Sequence, residues 1–120
     1  MKIVLPFPPS DLFPNKANGK HWSSTRAIKD GYRDTAFYLT KQTGQYLFPV
    51  VIDGDSFTMP MKLTFVQPDG RHRDADNMLA AAKHALDGVA KALGLDDKLF
   101  RPITIDWTRE KGAGALIVEL

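Results

Sequence analysis

The chain has 120 residues, of which 43% are hydrophobic and 25% are charged, and it contains no cysteine. This composition is typical of a globular protein and excludes collagen-like or wholly disordered chains, and the length predicts a single domain over residues 1–120. The lack of thiols excludes a disulfide framework and a thiolate zinc site, while a net charge of +2 is too small to identify a polyanionic partner.

The first half of the chain predicts a strand, a loop and a helix. Residues 2–7, apolar except for Lys2, predict a strand that Pro6, Pro8 and Pro9 end, and a loop follows. A helix begins at Ser23 or Ser24 and continues to about Thr43. Its buried stripe, with residues three or four apart, consists of Ile28, Tyr32, Ala36 and Leu39. Residues 45–57 are predicted to be a connector.

The second half predicts a strand at about 60–67, a turn at 68–70 and a helix from Asp76 or Asn77 to about Leu93. The apolar stripe of this helix consists of Met78, Ala82, Leu86, Val89 and Leu93. The residues at both ends of this helix fit its predicted bounds, because polar residues such as Asp76 and Asn77 commonly begin helices and a glycine such as Gly94 commonly ends them.

Gly88 lies inside this helix, where it costs about 1 kcal/mol relative to alanine and predicts a kink or break. A strand at 101–108 alternates apolar and polar residues, and the glycine-rich tip 111–114 connects it to a last strand at 115–120 as a hairpin. The order of elements predicts an α+β fold with the helices on one side of a sheet.

Asp74 and Asp76 carry the strongest chemical signal. In an extended segment two residues that are two apart point to the same side. Two converging carboxylates repel unless a cation or a proton lies between them, and Mg²⁺ usually binds through one or two carboxylates with water completing the shell. A solvated cluster at a helix start explains the same two residues.

Arg71, His72 and Arg73 directly precede these acids. Metal-binding acids beside phosphate-binding cations are what phosphodiester hydrolysis needs. A surface salt-bridge cluster is the alternative.

A second acidic pair, Asp96 and Asp97, follows the predicted helix. A helix of this length spans about 25 Å, so Asp97 reaches Asp76 only if the following segment runs back along the helix. Without that return the pair is a charged turn. His84 and Asp87, one turn apart, predict a surface pair.

Basic and aromatic residues are interspersed in the stretch from 13 to 33, with Asp30 as the one acid between Asn15 and Arg33. Such a pattern suits nucleic-acid binding, and a solvated helix face explains it equally well. The basic residues are Lys16, Lys20, Arg26, Lys29 and Arg33, and the aromatic ones are Phe13, His21, Trp22 and Tyr32.

Several segments resemble the RusA family of Holliday-junction resolvases, small bacterial and prophage endonucleases. The segments are 68–77 (PDGRHRDADN) with the helix after it, 95–97 (LDD), 5–10 (LPFPPS) and 32–34 (YRD). The resemblance spans nearly the whole chain in the same order.

The resemblance implies a small mixed sheet of about four strands with two helices packed on it, and a homodimer that nicks two strands of a four-way DNA junction with Mg²⁺ or Mn²⁺. It assigns the catalytic and metal-binding acids to Asp74, Asp76 and Asp97. The family's basic loop matches Arg71 to Arg73, and Lys16, Lys20 and Arg26 are further candidate DNA contacts. Where the family usually has a lysine, this chain has Ala80, and Lys83 is the nearest substitute.

We therefore expect a Mg²⁺-dependent endodeoxyribonuclease that resolves four-way junctions by paired nicks in DNA recombination and repair. Ala80 keeps open a non-catalytic DNA-binding or recombination-accessory protein of the same fold, and a nuclease for other branched DNA is a further alternative. No glycine-rich motif predicts an organic cofactor. Because no apolar run reaches the roughly 18 residues of a membrane span, we expect a cytoplasmic protein without a membrane partner.

Overall fold

The computed structural model describes residues 1–14, 22–44, 51–54 and 56–120. In that part of the chain the elements are β1 (Lys2–Leu5), α1 (Trp22–Gln42), β2 (Val51–Asp53), β3 (Ser56–Gln67), α2 (Ala75–Leu93), β4 (Phe100–Arg109) and β5 (Ala115–Glu119). Short 3₁₀ turns cover Ser10–Leu12 and Asp97–Leu99. The α+β prediction is confirmed: two helices pack on an open, mixed sheet whose four main strands are ordered β1-β5-β3-β4.

Strand β3 is the centre of the sheet. It pairs in parallel with β4 on one side and antiparallel with β5 on the other. Alternate residues of β3 are fully buried beneath the helices, among them Met59, Leu63 and Phe65, whereas Lys62 on the other face is exposed. This period of two is what a sheet with one covered face requires.

The predicted hairpin of the last two strands is wrong. Within the described chain β4 and β5 lie on opposite sides of β3, and Lys62 has Thr104 as its neighbour on one side and Glu119 on the other. The connection crosses the end of β3, where the amide of Glu110 donates to the carbonyl of Gln67. Although β4 and β5 are adjacent in the chain, each pairs with the buried central strand β3, and so they do not pair with each other.

The predicted connector 45–57 is partly strand. Val51–Asp53 forms β2 and pairs antiparallel with the first residues of β3, which begins at Ser56 and so extends four residues before the predicted start. The short apolar run at 51–52 is too brief to show a period, which explains why the pattern did not reveal it.

The backbones of the two helices are in close contact at Gly88. Helix α2 continues through this residue without the predicted break. A Cβ atom added at Gly88 would lie 2.1 Å from the carbonyl oxygen of Arg33 on α1. The glycine therefore permits contact between the two helix backbones. Tyr32, which precedes Arg33 on α1, is also buried, and its hydroxyl donates to the carbonyl of Pro6 at 2.8 Å.

The expectation that the chain has no membrane-spanning segment can be compared with its helices. None of the helices in the described ranges is both long and apolar enough to cross a bilayer.

Candidate active site

Asp74 and Asp76 stand on either side of the start of α2. Asp74 is the N-cap residue with extended backbone, and the helix begins at Ala75. The extended geometry that would align the two acids is therefore absent. The Asp74 carboxylate makes no capping hydrogen bond, is largely exposed, and lies 3.1 Å from Nε2 of His72.

A cleft of about 370 Å³ brings three of the predicted catalytic residues together. Asp76, Lys83 and Asp97 line it, so the segment after α2 does run back along the helix. The remaining lining residues are Leu79, Ala80, Leu86, Phe100 and Ile103. The cleft thus lies between α2 and the edge strand β4, and apolar side chains make up most of its lining. Asp74 is not part of its lining.

The turn after α2 decides which acid of the pair enters the cleft. Gly94 ends the helix in the left-handed conformation at φ 71°. Asp96 then caps the short 3₁₀ turn by accepting from the amide of Lys98 at 3.0 Å, and this hydrogen bond lowers the pKa of Asp96. Its neighbour Asp97 is left to line the cleft.

Asp87 is a partner of Asp97 that the sequence reasoning missed. Burial, together with the hydrogen bond and the like charge of Asp97, raises the pKa of Asp87 to about 6. Asp87 is thus the neighbour of Asp97, and among the described residues no ion pair joins it to His84, so the predicted surface pair is not formed. The spacing could have indicated this position, because Asp87 follows Lys83 by four residues and therefore shares the helix face of that candidate site residue.

Asp76 and Asp87 are well separated along α2. Asp87, which contacts Asp97, follows Asp76 by eleven residues, a rise of roughly 16 Å along α2. Among residues 1–14, 22–44, 51–54 and 56–120, no three His, Asp or Glu side chains are grouped closely enough to hold a metal ion. Within the described residues, one chain therefore places Asp76 and Asp97 in the same cleft without a third acid or histidine grouped with them.

The predicted phosphate contacts differ in how far they reach solvent. Arg73 turns inward, is 12% exposed, and donates to Asp69 at 3.0 Å and to Gln67 at 3.1 Å. Arg71 and His72 are exposed beside it. The structure therefore leaves Arg71 and His72, rather than Arg73, available to a phosphate.

Of the remaining predicted DNA contacts, Arg26 lies within the described residues, near the start of α1. Arg26 is exposed and lies 3.9 Å from Asp30. Lys16 and Lys20 fall outside the described residues. Tyr32 is a core residue, as its burial shows, so it cannot stack on a base.

We expect His84 to make stability depend on pH. Burial, followed by repulsion from Lys29, Lys83 and Arg33, lowers the pKa of His84 below 6.5. The unfolded chain then binds more protons as the pH falls through this value, so stability decreases towards acid. Because the imidazole is partly exposed, we expect the wild type to lose up to ~1 kcal/mol more than His84→Gln between about pH 7.5 and 5.

Urea denaturation of both proteins at the two pH values measures this difference. The shared titration of the other acids cancels between them. Equal pH slopes for wild type and His84→Gln would contradict the assignment.

Comparison with known proteins adds a relative. No family model matches the chain. A protein of Xylella fastidiosa (strain Temecula1), described as an uncharacterized protein, is 33% identical over 113 residues, which cover 92% of this chain and 70% of that protein.

Proposed function

We propose that this chain, which belongs to the same family as the Xylella fastidiosa protein, is a metal-dependent endodeoxyribonuclease that resolves four-way DNA junctions by paired nicks in the cytoplasm. The observation that carries the proposal is the shared cleft of Asp76, Lys83 and Asp97. These residues are up to 21 positions apart, and two acids with a cation are the groups that phosphodiester hydrolysis needs. The resemblance to the RusA family supports the same reaction.

The donor atoms suit a hard divalent cation. Carboxylate oxygens are the ligands that Mg²⁺ takes, usually one or two of them with water. Burial and the neighbouring Asp97 carboxylate raise the pKa of Asp87 to about 6, and the like charges mark an excess of negative charge that a cation can neutralise. We assign the metal to Asp74, Asp76 and Asp97, with Mg²⁺ or Mn²⁺ as the ion. When bound, the ion supplies an activated water and neutralises charge on the scissile phosphate.

A second copy of the chain is proposed to complete each site. In one chain Asp97 lies beside Asp87, which is roughly 16 Å from Asp76 along α2. A two-fold axis across the cleft reverses α2 in the second copy, so that the Asp97 end of one copy meets the Asp76 end of the other. Ile103 and Trp107 of the edge strand, 37% and 47% exposed, provide apolar surface for this homodimer to bury.

The basic residues hold the DNA in this proposal. The Lys83 ammonium lies in the cleft and binds the phosphate next to the cleaved bond. Arg71 and His72, exposed before α2, bind phosphates of the same strand. Arg73 acts indirectly by fixing the turn at Asp69, since its guanidinium is already engaged.

A cleavage assay tests the proposal. The protein is incubated with a synthetic four-way junction over a titration of Mg²⁺ and of Mn²⁺, with EDTA as the blank and each strand labelled in turn. We expect symmetric nicks in two opposite strands with metal and none in EDTA, while a linear duplex of the same sequence stays intact. The salt concentration is held constant because phosphate contacts make binding strongly salt-dependent.

Two other results identify the alternatives. Junction binding without product at any metal concentration would indicate a non-catalytic recombination-accessory protein, which Ala80 in the cleft favours because it leaves that lining position without a charge. Cleavage of flaps but not of four-way junctions would indicate a nuclease for other branched DNA.

A further inference from the structure

A second cavity, of about 490 Å³, lies apart from the acid cleft. It opens between the segment after β1, the turn after β3 and the connection from β4 to β5. The lining residues that matter here are Phe7, Phe13, Pro68, Asp69, Arg71 and Arg73. Its volume is within the usual range for a small-ligand site, and it combines flat apolar walls with a few polar groups, as such sites commonly do.

The walls of this cavity are aromatic and already ordered. The rings of Phe7 and Phe13 are stacked with centroids 6.1 Å apart and planes 22° from parallel, and both are partly exposed. The Arg73 guanidinium lies over both rings, 5.1 Å from Phe7 and 5.9 Å from Phe13. Because Asp69 and Gln67 hold Arg73 in place, a ligand would not have to order these groups.

Asp69 provides a hydrogen-bond acceptor at the cavity. Its Oδ1 accepts from the amide of Arg71 and from Nη1 of Arg73, whereas Oδ2 accepts from Nη2 of Arg73 at 3.3 Å. The side chain is 45% exposed, so Oδ2 retains a lone pair for a further donor. The exposed Arg71 adds a positive charge at the rim.

We propose that this cavity binds an unpaired nucleobase of a branched DNA, with the base stacked on Phe13, an exocyclic amino group donating to Asp69, and the adjoining phosphate on Arg71. Every base has a flat face that stacks on aromatic rings, and a carboxylate accepts from the amino group of cytosine. Arg73 and Asp76 are three positions apart, at most about 11 Å of chain. One DNA strand can therefore reach both the cavity and the acid cleft.

This inference rests on the proposed function, since it assumes a DNA substrate, but its test does not need cleavage. Binding is measured in EDTA with two four-way junctions, one fully paired and one carrying an unpaired cytosine at the exchange point. We expect the wild type to bind the junction with the unpaired base about tenfold more tightly. Phe13→Ala and Phe13→Leu should lose this preference, because neither retains an aromatic face.

The preference is the ratio of the affinities of one variant for the two junctions. A variant that folds poorly loses binding to both junctions, and its lowered thermal unfolding midpoint identifies it. Phe13→Leu keeps an apolar side chain where Phe13 packs against the core. Tyr38→Ala removes an exposed aromatic side chain on α1 that is not part of the cavity lining, and it should keep the full preference. An unpaired thymine, which has no exocyclic amino group, should give a smaller preference than cytosine.

Equal binding of both junctions by the wild type, or a full preference in Phe13→Leu, would overturn the inference. Cleavage by the wild type in Mg²⁺ is measured in parallel. Cleavage without a base preference leaves the nuclease proposal intact and removes the nucleobase site. A base preference without cleavage supports the nucleobase site and contradicts the nuclease proposal.

Discussion

Replacing Asp76 with asparagine is expected to abolish junction cleavage, with a loss of at least about a hundredfold in rate. Asp76 is one of the two acids in the cleft, and asparagine keeps its shape while removing the charge that attracts a divalent cation. Junction affinity should be unchanged or higher, because a negative charge facing the phosphates is lost. Cleavage is measured in Mg²⁺ and affinity in EDTA, so the two effects are separated.

Asp34→Asn is the matched control. Asp34 is an exposed acid on α1, 59% exposed and paired with the neighbouring Arg33. Its replacement makes the same change of charge outside the cleft and should leave cleavage intact. Undiminished cleavage by Asp76→Asn would remove Asp76 from the proposed site.

The proposed homodimer adds a sharper form of this experiment. Asp76→Asn and Asp97→Asn subunits are each expected to be inactive alone. If the sites are shared between copies, a mixed dimer has one site with both native acids and one with neither, so mixing should restore nicking of one strand. An inactive mixture, with subunit exchange verified, would show that each site lies within a single chain.

Gly88→Ala is expected to destabilise the protein by at least about 3 kcal/mol. The added Cβ would lie 2.1 Å from the carbonyl oxygen of Arg33, 3.0 Å from the carbonyl carbon of the same residue and 3.1 Å from the amide nitrogen of Phe37. All three atoms belong to the backbone of α1, so no side-chain rotation relieves the clash. The helices must separate, which opens gaps in a core that is packed at this point.

Gly31→Ala provides the opposite expectation in the neighbouring helix. No heavy atom lies within 4 Å of a Cβ built at Gly31. Alanine there should stabilise the protein by up to ~1 kcal/mol, the difference in helix propensity. Chemical denaturation of both variants measures the two effects, and a cost below about 1 kcal/mol for Gly88→Ala would contradict the close helix contact.

Gly88 also illustrates where a prediction from sequence fails. Helix propensity alone ranks alanine above glycine at this position and predicts a kink. The structure reverses the sign, because the missing Cβ allows contact with a helix that is more than 40 residues away in the chain. Propensity describes one helix in isolation and contains no information about its neighbour.

In the candidate site, too, the sequence predicted local features but not the contacts between distant residues. The polar residues at the start of α2 were identified because acids and bases adjoin each other in the chain. Asp87 was missed as a partner of Asp97, and Arg73 was predicted to face DNA although it lies inward against Asp69. These side-chain directions depend on how the turn and the 3₁₀ segment pack, which the spacing of residues does not specify.

The sequence by itself determined both helices, the main strands and the α+β class, because a period of 3.6 or 2 in apolar residues is a local property of the chain. Only the tertiary structure decided that β3 separates β4 from β5, that Asp97 returns to the cleft of Asp76 and Lys83, and that Asp87 lies beside Asp97. Such contacts join residues far apart in the chain, and the burial of one sheet face under two helices selects them.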